Sequence, residues 1–488
     1  VYSRGSLWLA LAVAAVVLPV YAATRAPGLT WANQGADGGD LITAAATFGV
    51  AHPSGYPTYL LLARLFQALP VGPLAARTTW LSALAAALAA GAVVPLVSQT
   101  SAGPPRFGLA GGVVAGLAFG LSPLLWSQAV ITEVHTLHAL FVALLLYTLP
   151  QPAARPPSSR GHALAGLIAG LALGNHLTVG LLLPAWLGMS AWSAGRDWRR
   201  AVVWRLAGLA LGLTVYLYLP LAAAGQPPVN WGGAATPAGF WWVVSGAPYR
   251  ALAFGLARDL ALGRVAGWAG LLWAQFGWLG LLVTVVGLFF GQVRGWGARA
   301  ITLWMVVVYS AFAIGYNAAD SYAYLLPAIL AAGLWLGWGV AALLAALDRR
   351  PHRALTGWVV VGLLGVTLGL NAARHWPEVD ASRDQRAEDF GRAVMTTAPG
   401  GAVLVTQGDQ DSLALWYFHF ALEQRPDLAV VVEPLLVFDW YRTTLRAVYP
   451  ALPALSAASD WRAAVAASGR PVCAVRVDAA PVLACPSP

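Results

Sequence analysis

The chain has 488 residues, of which 59% are hydrophobic and 10% charged, and its mean hydropathy is +0.66. Such a composition excludes an ordinary water-soluble globular protein and fits a polytopic protein whose solvent is largely lipid. The formal charge of +9 comes from arginine alone, since no lysine is present. These arginines are scattered through short loops between apolar stretches rather than massed on one face, which argues against a nucleic-acid partner.

Crossing about 30 Å of hydrocarbon as a helix takes about 20 apolar residues. The first such stretch, 6–24, is a crossing, or alternatively a signal peptide with Arg4 at its charged end and Ala22-Ala23 near a cleavage site. A polar loop, 25–76, follows, and it carries Asp37-Gly38-Gly39-Asp40. Two readings of that pair are open. Asp37 caps a helix running from Asp40 to Phe48, with Asp40 favoured by the helix dipole; or two carboxylates three residues apart share one face and a low-dielectric pocket, so that their proton affinities separate and one serves as a general base. Pro53-Ser54-Gly55-Tyr56-Pro57 then ends that helix and starts another, Thr58 to Leu69, expected to lie in the outer interface. Its Arg64 either snorkels to headgroups or meets a lipid-linked phosphate.

Further crossings are expected at 77–98, 107–124, 131–149, 202–222, 266–290, 300–317, 322–347 and 354–373. Two shorter pieces, 163–174 and 177–194, flank Asn175-His176, where a break between half-helices exposes backbone groups able to hold an anion. With both counted, the total is about eleven. Glu133, His135 and His138 open the 131–149 segment without any HExxH-like spacing, so interior hydrogen bonding is a better reading than a metal site. If the crossings alternate, Arg4, Arg106, Arg155, Arg160, Arg196, Arg199, Arg200, Arg205, Arg294, Arg299, Arg349, Arg350 and Arg353 share one side. The positive-inside rule makes that side cytoplasmic. Asp37, Asp40, His52, Glu133, His135, His138, Asn175, His176, Asn230, Asn317 and Asp320 then gather on the opposite side, with Tyr316, Tyr322 and Tyr324 as an aromatic rim. Ionisable groups inside a membrane are costly and mark functional cavities; gathering at one face favours a site that opens outward over a path that crosses.

From Arg374 the character changes: apolar runs at 402–405, 428–432 and 472–477 alternate with helical patterns at 411–424, 435–448 and 457–468. The expected organisation is therefore an all-α membrane bundle, 1–373, followed by a small extracytoplasmic α/β domain, 374–488. Cys473 and Cys485, the only cysteines, both fall in that domain, where a disulfide is permitted.

The polar motifs also form a set. Asp37-Gly38-Gly39-Asp40-Leu41-Ile42, His52-Pro53-Ser54-Gly55-Tyr56-Pro57, Trp126-Ser127-Gln128, Gly174-Asn175-His176, Asn230-Trp231-Gly232, Ser245-Gly246-Ala247-Pro248-Tyr249-Arg250 and Gln407-Gly408-Asp409 together resemble the membrane-protein family catalogued as DUF2723, which includes a eukaryotic transmembrane protein O-mannosyltransferase. Asp40 stands where the family usually has glutamate and His135 where tyrosine is common. The resemblance implies a GT-C glycosyltransferase; the lysine-free, Ala-, Gly-, Leu- and Arg-rich composition suggests a bacterial cell membrane, and the arginine placement puts the N-terminus in the cytoplasm. The resemblance also implies transfer of a sugar, mannose by analogy with one branch of the family, from a polyprenyl-phosphate carrier to an extracytoplasmic hydroxyl such as a protein Ser or Thr, with inversion; no nucleotide-sugar or metal motif is visible, so no metal or other cofactor is expected. On that basis Asp37 is the expected base and Asp40 orients it or the acceptor. Arg250 or Arg64 is the phosphate partner, and His52, Glu133, His138, Asn175, His176, Asn230 and Asp320 line the donor site. Two other classes, a lipid or glycan transporter and a noncatalytic membrane scaffold, would use the same outward cavity without chemistry.

Overall fold

The computed structural model describes residues 4–149, 157–348, 354–453, 455, 461–477 and 479–485. The first helix, α1 (Arg4–Thr24), packs against α4 (Leu74–Thr100) and α5 (Pro105–Gly120). Between α1 and α4 the outer loop folds into two short helices, α2 (Gly38–Ala46) and α3 (Pro57–Gln67), close to the expected boundaries. Next come α6 (Pro123–Ala129), α7 (His135–Tyr147), α8 (Ser159–Leu173), α9 (Leu183–Ala194) and α10 (Trp198–Leu213). After α11 (Tyr218–Ala224) and α12 (Pro237–Val244), four long helices complete the bundle: α13 (Ala261–Phe290), α14 (Gly297–Gly315), α15 (Leu326–Asp348) and α16 (Ala354–Val379).

Each expected apolar segment forms helix, but fewer than eleven qualify as full crossings. Among the described residues seven helical stretches are long and apolar enough, or eight if α5 and α6, bent by 60°, count as one span. The 131–149 segment yields only the 13 residues of α7 because its start, Thr132 to Val134, is a turn that presents Glu133. Likewise 163–174 and 177–194 become the 15-residue α8 and the 12-residue α9, separated by a 3₁₀ turn at Leu177–Leu181. Arg155, Arg349, Arg350 and Arg353, used above to orient the bundle, lie outside the described residues.

Helices α8 and α10 approach closely through glycine, as small residues permit where no water drives association. A Cβ added at Gly208 would stand 1.9 Å from the Ala163 carbonyl oxygen. Gly208→Ala is therefore expected to force the pair apart and lower stability by about 1–3 kcal/mol, measurable as an earlier thermal unfolding transition in detergent.

Beyond α16 lie α17 (Arg386–Thr397), β1 (Val403–Thr406), α18 (Asp409–Trp416), β2 (Ala429–Val432), α19 (Asp439–Val448), α20 (Trp461–Ala467), β3 (Val472–Val475) and β4 (Leu483–Ala484). The sheet order is β2-β1-β3-β4; β1 runs parallel to both β2 and β3, and β4 is antiparallel to β3. Parallel neighbours need crossover connections, which the intervening helices supply. All four residues of β1 and of β2 are buried. Cys473 of β3 is disulfide-bonded to Cys485 beside β4. Residues 457–460 of the expected 457–468 helix lie outside the described residues.

Two carboxylates tie the outer loop to this region: Glu388 accepts from the Leu29 N–H at 2.9 Å, and Asp384 makes the denser set of contacts. Asp384 accepts from the Thr30 hydroxyl at 2.6 Å and from the backbone N–H groups of Trp31 at 3.0 Å and Ala32 at 2.8 Å. Burial pushes its pKa up, but Arg386, Thr30 and the Ala32 N–H outweigh that and hold it at about 2. A depressed acid stabilises the fold fully above its unfolded value and less as pH falls through the folded one. Asp384→Ala is expected to cost about 1–3 kcal/mol at neutral pH, and the difference from the parent chain in thermal unfolding should shrink as the pH approaches 2.

Candidate active site

Helix α2 begins at Gly38, so Asp37 occupies its N-cap position, yet the Asp37 side chain makes no capping hydrogen bond. The carboxylate, 39% exposed, instead faces a chamber of about 820 Å³. Its walls come from sequence-distant parts: Trp31, Gln34, His52 and Tyr56 of the outer loop, Glu133 and His135 at the head of α7, and His176 at the α8 break. Tyr249 follows α12, while Tyr316, Asp320 and Tyr324 come from the α14–α15 turn. Gln407 to Asp411 close the chamber from the sheet region.

Asp40 plays a different part. Completely buried, it accepts from the His52 backbone N–H at 2.9 Å, pairs with His52 Nδ1 at 2.7 Å, and accepts the Trp231 indole N–H at 3.0 Å. It does not line the chamber, so it orients His52 rather than Asp37 or a substrate. His52 Nε2 then points back toward Asp37, 3.7 Å away. The result is an Asp40–His52–Asp37 row in which only the last two reach open space.

The charges follow from this geometry. Burial raises the Asp37 pKa to about 6; the negative charges of Asp409, Asp40 and Asp320 add to the rise and His52 opposes it. For His52, burial alone would lower the pKa, but Asp37, the Asp40 hydrogen bond and Glu133 outweigh it and raise the value to about 9. The two flanking carboxylates thus favour the imidazolium form of His52. No arginine stands among the described lining residues, so His52 is the cation of the chamber.

The other sequence candidates divide. Glu133, His176 and Asp320 line the chamber with Asp37 and His52. His138 sits behind it, buried, its Nε2 3.3 Å from the Thr178 hydroxyl and its ring 5.2 Å from that of His176. Asn175 is a structural pin: fully buried, it donates to the Val134 carbonyl at 3.2 Å and fixes the head of α7 to the end of α8. Asn230 contributes through its backbone, bridging Val50, which delivers the neighbouring Trp231 to Asp40. Arg64 is not at the chamber at all. Its Nη1 donates to the Ala45 and Ala46 carbonyls at 3.0 and 2.9 Å and its guanidinium lies over the Phe48 ring, so it caps the C-terminus of α2, where a cation suits the dipole. Arg250 is exposed, next to the lining residue Tyr249, and does not line the chamber itself.

Trp231 and Asp409 emerge only in three dimensions, although each lies in a motif noted above. Trp231 packs against Trp440 and Trp416 with ring centroids 5.5 and 6.1 Å apart, joining the site to the sheet region. Asp409 starts α18, and burial raises its pKa, with nearby Asp40, Asp411 and Asp320 adding and His52 opposing. Helix α18 reaches the site because α2 offers glycine: a Cβ on Gly39 would stand 2.3 Å from the Leu413 carbonyl oxygen.

Residues 37–198 match the family described as Protein O-mannosyl-transferase TMEM260 N-terminal domain, and residues 387–462 match TMEM260-associated domain 2. Over those two segments the chain is similar to the TMEM260 proteins. It is 28% identical to mouse Protein O-mannosyl-transferase TMEM260 over 90% of its own length and 64% of the relative's. With the Dictyostelium discoideum protein of the same name it shares 22% identity, over 87% of itself and 57% of that relative. The chain thus spans 64% and 57% of the length of these TMEM260 proteins. Among solved structures, ArnT from Cupriavidus metallidurans bound to undecaprenyl phosphate superposes with a TM-score of 0.60 at 15% identity, covering 97% of this chain and 93% of that one. The Archaeoglobus fulgidus oligosaccharyltransferase AglB, in complex with an inhibitory peptide and a dolichol phosphate, gives 0.51 at 10% identity over 88% and 65% of the two chains. The likeness to these solved structures establishes the GT-C fold for this chain.

Proposed function

We propose that this chain is a membrane glycosyltransferase that moves a sugar, mannose by its kinship with the TMEM260 proteins, from a polyprenyl-phosphate carrier to a hydroxyl, in the first instance of a protein Ser or Thr. The observation that carries the reading is the uncapped Asp37 carboxylate, facing the chamber with His52 Nε2 3.7 Å away. In this reading the acceptor hydroxyl gives its proton to Asp37 as its oxygen attacks the anomeric carbon. The bond from that carbon to the carrier phosphate breaks with its electrons on the phosphate, and a single displacement inverts the configuration. Charge develops on the departing phosphate, and preorganised donors aimed at it lower the barrier. His52 supplies the positive charge and Tyr56, Tyr249 and Tyr324 line the same space with hydroxyls. Arg250, exposed beside Tyr249, is placed to meet the carrier phosphate as it approaches.

Support also comes from the relatives' printed names and from the lipid phosphates bound by ArnT and AglB. The chamber then opens to the extracytoplasmic side of a cell membrane, with the 374–488 domain outside and the N-terminus in the cytoplasm. The test is to incubate membranes containing the chain with radiolabelled polyprenyl-phosphate mannose and a Ser/Thr-rich peptide. Label appearing on the peptide with inverted configuration is the expected result. Carrier that stays intact while label crosses the bilayer would overturn the enzyme reading in favour of transport.

A further inference from the structure

A second cavity, of about 660 Å³, lies at the other end of the bundle. Helix α7 relates the two, since its first residue, His135, lines the chamber and Leu146, near its last, lines this cavity; at 1.5 Å per residue they are about 17 Å apart along the axis. One side of the cavity is apolar, formed by Leu96, Leu146, Ile301, Leu334 and Trp338. The other is cationic, with Arg200 and Arg294 against Asp197, the single carboxylate among the described lining residues. Each arginine uses its Nε to hold its place, Arg200 on the Ser159 hydroxyl at 2.9 Å and Arg294 on the Ser101 carbonyl at 2.7 Å. Among the described residues no hydrogen bond engages the terminal nitrogens of either exposed side chain, which leaves them for a ligand.

Two buried groups point the same way. His162, 4% exposed, lines the cavity with an Nδ1 that has no partner among the described residues. Arg205, 1% exposed, lies over the Trp186 ring at 4.3 Å and donates one hydrogen bond, to the Thr148 carbonyl at 2.9 Å, while its Nε and Nη1 lack hydrogen-bond partners among the described residues. Its backbone abuts Gly166, one turn along α8 from His162. Buried guanidinium without a counter-charge is costly, and an anion brought nearby relieves it. The chain itself offers none from its undescribed segments here, because 150–156 and 349–353 contain no Asp or Glu. Trp192 and Trp296 meet edge to face at 5.7 Å on the cavity wall, the residue type that favours the membrane interface.

We propose that this cavity binds one anionic phospholipid, its phosphate between Arg200 and Arg294 and one acyl chain along the apolar wall. Arginine forks suit phosphate oxygens, and a pocket of several hundred Å³ suits a small amphiphile. The site is separate from the chamber and stands whether or not the transfer reading holds. To test it, the full chain is purified in neutral detergent and titrated with phosphatidylglycerol or phosphatidylcholine, with native mass spectrometry and thermal unfolding as readouts. The expected result is one retained phosphatidylglycerol and a raised unfolding temperature, with no such effect of phosphatidylcholine. The double variant Arg200→Gln/Arg294→Gln should weaken phosphatidylglycerol binding roughly tenfold or more, whereas Arg200→Lys/Arg294→Lys should keep the preference. Should the glutamine pair fail to stay monodisperse, Ser193→Trp, which fills the cavity without altering charge, is expected to exclude the lipid. Equal retention of the two lipids, unchanged binding in a folded glutamine variant, or equal protection by inorganic phosphate would each overturn the proposal.

Discussion

Replacing Asp37 by asparagine is expected to lower sugar transfer by about 10²- to 10⁴-fold, the range over which a positioned general base acts. The amide keeps the shape of the side chain but cannot take the acceptor's proton. Folding should be preserved, because Asp37 makes no capping bond to α2 and stands partly open in the chamber. Transfer from a polyprenyl-phosphate sugar and thermal unfolding, measured on the same preparation, separate the two effects. Full activity in Asp37→Asn would remove Asp37 from the mechanism. Loss of activity together with loss of fold would instead make its role structural.

The second large effect concerns pH. Asp37 works as a base only when ionised, so transfer should rise as pH increases through about 6. His52 offers its charge only when protonated, so transfer should fall as pH increases through about 9. A bell-shaped dependence of kcat/KM with those two limbs is the expected profile. Asp40→Asn tests the upper limb in particular: it retains a carbonyl oxygen for the His52 N–H but removes the negative charge that holds the imidazolium. The alkaline limb should then move down toward the ordinary histidine value of about 6.5, narrowing the bell, while the acid limb moves little. An alkaline limb that stays near 9 in Asp40→Asn would show that His52 does not set it.

Much of this organisation was legible in the sequence for a thermodynamic reason. In a chain so rich in apolar residues, ionisable side chains are expected only where water or a partner reaches them, and Asp37, His52, Glu133, His176 and Asp320 do share one chamber. The alternation of short apolar runs with helical patterns likewise anticipated β1, β2, β3 and the helices between them. Hydrogen-bond partners were less accessible, because they depend on approach between distant segments. Asp40 and Asp37 look equivalent in the sequence, yet a parallel bridge from Val50 to Asn230 brings Trp231 to one of them and leaves the other free. In the sequence Arg64 interrupts an apolar helix, which suits snorkelling to headgroups and a lipid-linked phosphate equally; its partners in the fold are the carbonyls at the end of α2, eighteen and nineteen residues earlier. The count of eleven crossings failed for a related reason: hydropathy does not register that Glu133 sits in a turn or that Leu177–Leu181 winds as 3₁₀ helix. Asp409 carried a motif but no membrane-depth penalty, so nothing in its own surroundings marked it as a wall of the chamber.

The seating of α18 against α2 also gives the sheet region a place in the site rather than above it. Gly39 meets the Leu413 backbone, Trp416 and Trp440 pack on Trp231, and Asp409 faces the same space as Asp37. On the proposed function, an acceptor approaching Asp37 would pass residues of both regions.

A cryo-electron microscopy structure of the full chain with bound polyprenyl phosphate tests the central claim most directly. The lipid phosphate is expected in the chamber within hydrogen-bond reach of His52, with the Asp37 carboxylate beside it. A phosphate bound elsewhere on the bundle, with the chamber filled only by water, would contradict it.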